Sequence, residues 1–108
     1  MRIAFTFRNI ESSEPLKNYA TEKLKKLEKY VKDPMEVDVT YSIERQSHRI
    51  DVNLSSSGES HVAHDTSEDM YASIDLVVGK MRKQLIRAKS ASKERRRSSP
   101  GAIPAPGE

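Results

Sequence analysis

The sequence predicts an α+β domain of order β-α-β-β-β-α, a four-stranded sheet with two helices packed side by side on one face. Three observations carry that prediction. Residues 35–44 alternate strictly between apolar and polar, apolar stripes at helical spacing lie on either side of them, and a short alternating run precedes both. The chain has 108 residues, 35% hydrophobic and 32% charged, which suits one domain with a small core and a large wet surface.

In "RIAFTFR", residues 2–8, Ile3, Phe5 and Phe7 share one face of a first strand. "ESSEP" follows, with Ser12 or Ser13 as the helix cap and Pro15 near the first turn. Leu16, Tyr19, Ala20, Leu24, Leu27 and Val31 then make one stripe on a single helix, which Asp33-Pro34 stops. Met35, Val37, Val39, Tyr41 and Ile43 alternate with Glu36, Asp38, Thr40, Ser42 and Glu44, so the second strand is packed on one face and wet on the other. After "RQSH" the alternation resumes at Ile50, Val52 and Leu54, and "SSSGES" turns the chain again. Residues 59–65 form a fourth strand with a weak pattern, in which either His61 with Ala63 or Val62 with His64 faces inward.

The second helix has Met70, Ile74, Val77, Val78, Met81 and Leu85 as its stripe, with Gly79 inside at a cost of about 1 kcal/mol relative to alanine. Thr66 or Ser67 is placed to cap it, which puts Glu68 and Asp69 in the first turn against the positive end of the dipole. Periodicity ends after Lys93. The domain is therefore expected over residues 1–94, and 95–108 read as a disordered tail, basic and then Pro/Gly-rich.

Several functions find no support. There is no cysteine, and His61 and His64, three apart on a strand, point to opposite faces. His64, Asp65 and Ser67 are too close in sequence for a catalytic triad, and no glycine-rich phosphate loop is present. No catalytic residue, metal, cofactor or small-molecule substrate is predicted. No apolar run approaches the roughly 20 residues that span a bilayer, and a basic helix lacking bulky aromatic anchors does not suit a membrane surface. The expectation is a soluble cytoplasmic protein.

Charge is laid out unevenly behind a net value of +3. Residues 80–97 hold nine Lys or Arg against Glu94 alone, and residues 16–32 hold six lysines against Glu22 and Glu28. Between them, residues 33–79 are strongly acidic. Carboxylates occupy the head of the second helix, so phosphate is repelled there and an anionic partner must meet the later turns. Lys80, Lys83 and Arg87 form one stripe on those turns, and Arg82, Lys89 and Lys93 another on the opposite flank. From Lys80 to Lys93 no acid stands at pairing distance along the helix, and a polyanion would relieve the repulsion. Lys23 and Lys26 flank the first helix's stripe, with Lys25, Lys29 and Lys32 further out. Tyr71 could stack on a base but lies close to the core stripe.

"DMYASIDLVVGKMRKQL", with "EKLKKLEKY" upstream and a leading strand, resembles the ribosome hibernation-promoting factor and ribosome-associated inhibitor family from residue 1 to about residue 93. The resemblance implies the β-α-β-β-β-α fold and docking in the decoding region of the small ribosomal subunit, where messenger and transfer RNA are blocked in stationary phase or stress. It implies ribosomal RNA contacts by Lys23, Lys26, Lys80, Lys83, Arg87 and Lys89. Arg82 is added from charge and spacing, because family members often carry a non-basic residue there. Long members have a second, ribosome-pairing domain, so this chain resembles a short form or the N-terminal module of a long one. The expected partner is the small subunit and its RNA, with the protein a monomer off the ribosome. The alternative is a general double-stranded RNA-binding module, although those place basic residues where this chain has "EDMYASID". A purely structural or protein-binding role predicts no salt-sensitive RNA binding.

Overall fold

Alternation builds one sheet from β1 (Arg2–Arg8), β2 (Glu36–Glu44), β3 (Ser47–Ser56) and β4 (Glu59–Ser67), in that spatial order. A computed structural model describes residues 1–97, with side chains to Ser90; the rest of the expected tail lies outside the described residues. β1 runs parallel to β2, with Ile3 opposite Val37 and Phe5 opposite Val39. A parallel pair needs a crossover, and α1 (Glu14–Lys25) supplies it. β2, β3 and β4 are antiparallel and joined by two-residue turns. In the second turn Ser57 and Gly58 both take positive φ, 56° and 78°, the geometry that matches the twist of a tight hairpin.

The register puts Val37, Val39, Tyr41, Ile50, Val52, Leu54 and Ala63 on the buried face, while Glu36, Asp38 and Glu44 are exposed on the other. In β4 the inward set is His61 with Ala63, and Val62 is 59% exposed on the outer face. Ala63 pairs with the buried Val52, beneath α2 (Met70–Arg97), where a small side chain suits the close packing of helix on strand.

Ser13 caps α1, its hydroxyl accepting from Leu16 N at 3.3 Å. The single helix expected to run to Val31 instead tightens after Lys25 into a 3-10 turn, Lys26–Tyr30, that still buries Leu27. Such winding is common where an α-helix ends. The expected cap of α2 is also corrected. β4 extends to Ser67, so Asp69 takes the cap, accepting from Tyr71 N on its carboxylate at 3.3 Å and from Ser73 N on its carbonyl at 3.0 Å. α2 continues to Arg97, so residues 95–97 are helical.

Both helices are tied to the sheet by polar links inside the core. Tyr41 is fully buried and donates to the Leu16 carbonyl at 2.8 Å, its ring stacked on Phe7 at 4.7 Å. Burial pushes its phenol pKa far up, so it stays neutral. Ser73, the buried polar residue of α2, donates to His48 O at 2.6 Å. Met70, Ile74, Val77, Met81 and Leu85 fill the space between, as their spacing predicts. Nothing lies within 4 Å of where a Cβ would stand on Gly79, so this packing does not require glycine.

Candidate nucleic-acid interface

Helical spacing divides the cations of α2 between two neighbours. Asp75, Arg82 and Lys89, seven apart, lie along the flank that faces α1. Tyr19 marks that contact: its hydroxyl donates to Asp75 Oδ1 at 2.8 Å and its ring meets Tyr71 edge-on at 5.0 Å. The bond to Asp75 holds the Tyr19 phenol above its ordinary pKa. On α1 and the turn that extends it, Tyr19, Lys23, Lys26 and Tyr30 recur at four-, three- and four-residue steps. Lys23 Nζ stands 5.2 Å from the centre of the Tyr19 ring. Further along, the Arg82 guanidinium beside Tyr30 holds its phenol below the ordinary pKa, and Lys29 Nζ lies 5.4 Å from the centre of the same ring.

Along the groove between the helices, Lys23, Lys29 and Arg82 thus stand beside Tyr19 and Tyr30, with Tyr71 against Tyr19, and Lys26 and Lys89 are exposed further along the same two elements. Base stacking and phosphate contact both find their side-chain types there. Tyr71 packs edge-on against Tyr19 and remains 38% exposed. Lys29, Tyr19 and Tyr30 were not among the predicted contacts. Their signal is the interleaving of aromatic and basic residues at the same helical steps, with the 3-10 winding carrying Lys29 over Tyr30.

The other flank of α2 faces β4. Lys80 forms an ion pair with Asp65 at 3.0 Å and donates to the His64 carbonyl at 3.0 Å, and Gln84 donates to the Val62 carbonyl at 2.9 Å. These two side chains satisfy carbonyls along the outer edge of an edge strand, which otherwise invites pairing with another chain. Lys80 is thus not an unpaired cation, although the spacing of acids along the helix suggests one. Lys83 and Arg87 are exposed beyond it, and among the described residues no ion pair engages Arg82, Lys83, Arg87 or Lys89. The seven predicted contacts therefore fall into a groove set (Lys23, Lys26, Arg82, Lys89) and an outer set (Lys80, Lys83, Arg87).

The Lys80 pair has a pH signature. Hydrogen bonding to Lys80 holds the Asp65 carboxyl below the usual carboxylate range. A depressed folded-state pKa contributes stability above the unfolded value, about 3.9, that is lost as pH falls through the folded value. Asp65→Asn is therefore expected to be less stable than the parent at pH 7 by roughly 1 kcal/mol at most. The gap should narrow as pH falls below the ordinary carboxylate value and close once Asp65 is protonated in the folded protein, read as melting temperature against pH. Arg49 also depresses Asp51, but that bidentate pair on the open sheet face is common to both proteins.

Residues 3–93 match the family described as sigma 54 modulation protein / S30EA ribosomal protein. A ribosome hibernation promoting factor of Azotobacter vinelandii is 32% identical over 107 residues, covering 98% of this chain and all of the relative. One from Salmonella typhimurium is 34% identical over 94 residues, covering 87% of this chain and 99% of the relative. Among solved structures, the N-terminal domain of Thermus thermophilus Protein Y superposes with a TM-score of 0.77 at 25% identity, covering 81% of this chain and 98% of that one. A ribosomal subunit interface protein from Coxiella burnetii shares the fold, with a TM-score of 0.73 at 24% identity, covering 83% and 99%. With the strand and helix order in agreement, the chain belongs to the sigma 54 modulation / S30EA family, the one that includes the ribosome hibernation-promoting factors.

Proposed function

We propose that this protein is a cytoplasmic, non-enzymatic ribosome hibernation factor that binds the decoding region of the small subunit and keeps messenger and transfer RNA out. The observation that carries the reading is the row of cations on both walls of the interhelical groove, in a family whose relatives bear the name hibernation promoting factor. Phosphates would meet Lys23, Lys26, Arg82 and Lys89 in the groove and Lys80, Lys83 and Arg87 outside it. The carboxylates of Asp69 and Asp75 direct the RNA away from the head of α2, toward its later turns. Phosphate contacts position a protein without reading sequence, so selectivity for the ribosome comes from the shape of its cleft.

Co-sedimentation with purified ribosomes across a salt series tests this reading. Seven phosphate contacts are expected to cost about a thousandfold in affinity between roughly 50 and 200 mM salt. Retention should survive an excess of free RNA duplex. Equal loss to the duplex would instead make the protein a general double-stranded RNA binder.

A further inference from the structure

At the end of the groove, where the 3-10 turn, the β3–β4 hairpin and the later turns of α2 converge, lies a cleft of about 570 Å³. Its floor is apolar, built by Tyr30, Val31, Leu85 and Ala88. Three lysines, Lys29, Lys32 and Lys89, line it as well. The opposite wall is the hairpin, which presents the Glu59 carboxylate 3.9 Å from His61 Nε2. That wall is anchored: Ser56 donates to the Asp33 carbonyl at 3.0 Å, and Ser57 bonds the Asp33 carboxylate.

The volume lies within the range of small-ligand sites, and the chemistry is divided. An inorganic anion would leave the apolar floor unused, and an uncharged apolar ligand would leave three lysines without a counter-charge. A nucleotide satisfies both, with a flat base over the floor beside Tyr30 and a phosphate among the lysines. Glu59 adds an acceptor for a base's exocyclic amino group, which adenine, cytosine and guanine carry and uracil does not.

We propose that this cleft receives one unstacked nucleotide of the bound RNA, with preference for a base bearing an exocyclic amino group. The inference rests on the RNA-binding reading above and deepens it. The phosphate contacts would hold the protein on the ribosome, and one inserted base would fix its register.

The test is amide NMR of the full chain titrated with AMP, CMP, GMP, UMP and ribose 5-phosphate, paired with ribosome pelleting. Shifts should centre on residues 29–32, 56–61 and 85–89. The amino-bearing nucleotides should bind roughly tenfold more tightly than ribose 5-phosphate, the contribution of one stacked base. UMP should be the weakest nucleotide, and Glu59→Gln, an exposed change that leaves the core alone, should narrow its deficit. Ala88→Phe, which fills the cleft without removing a cation, should abolish the shifts. It should also weaken pelleting at an unchanged salt slope. Nucleotides that bind no better than ribose 5-phosphate, or shifts centred elsewhere, overturn the cleft whatever the ribosomes do. If the parent protein pellets normally in that case, the hibernation reading stands without it. Cleft-centred shifts with no pelleting would support the nucleotide site and sink the ribosome reading.

Discussion

Replacing Lys23, Lys26, Arg82 and Lys89 together with glutamine is expected to lower ribosome affinity by about three orders of magnitude, at about 1 kcal/mol per lost phosphate contact. The salt dependence should flatten in parallel, because each lost contact removes about one released counterion. All four residues are at least partly exposed on the two helical elements that flank the groove, and none belongs to the core, so circular dichroism and melting should remain close to the parent. The triple change Lys80→Gln, Lys83→Gln, Arg87→Gln is expected to weaken binding less. Lys80 already shares its charge with Asp65 and the His64 carbonyl, so it has less to offer a phosphate. An equal or larger effect from the triple would move the centre of the interface out of the groove and onto the β4 side of α2.

The largest effect on the fold itself is expected at Tyr41. Tyr41→Ala empties a fully buried site stacked against Phe7 and cuts the link to the Leu16 carbonyl. A buried aromatic reduced to alanine costs about 3–5 kcal/mol, a large share of a total near 5–15 kcal/mol. For a domain of this size the melting temperature should fall by about 15–30 °C. Tyr41→Phe keeps the ring and loses only the hydroxyl, and about 1 kcal/mol is expected. If the two variants lost equal stability, the hydrogen bond to α1 would outweigh the packing, contrary to this description of the core. Ribosome binding should persist in Tyr41→Phe, since Tyr41 faces away from the groove.

What the sequence could reveal followed from what repeats along the chain. The alternation from Met35 to Glu44 places both faces of β2 before any fold is known, and the Ser12-Ser13 pair announces the start of α1, with Ser13 the cap. The apolar stripe of α2 likewise predicts most of its buried side, although Val78 is only partly buried and the fully buried Ser73 lies outside the apolar count. Features set by a distant partner were not legible. The orientation of β4 depends on Ala63 meeting Val52, and its extension to Ser67 hands the cap of α2 to Asp69. The 3-10 winding at Lys26–Tyr30 preserves the burial of Leu27, so the apolar stripe reads the same with or without it.

The site shows the same division. The stripe Arg82–Lys89 and the pair Lys23–Lys26 can be read from spacing, but their meeting across one groove depends on how α1 packs against α2. The pairing of Lys80 with Asp65 is invisible to a scan for acids within the helix, because Asp65 belongs to β4. Tyr19 is an apolar position in a periodicity count, and Tyr30 lies outside both stripes. The contacts Tyr19–Tyr71 and Lys29–Tyr30 bring these rings together with the lysines.

The central claim is steric: this protein and the decoding substrates occupy the same space on the small subunit. The most direct measurement is pelleting of the protein with small subunits that are either vacant or preloaded with messenger RNA and initiator transfer RNA, at one salt concentration. Binding to vacant subunits, with exclusion from loaded ones and release of transfer RNA at high protein concentration, is the expected result. Equal binding to both, with transfer RNA retained, would contradict occlusion and place the protein elsewhere on the ribosome.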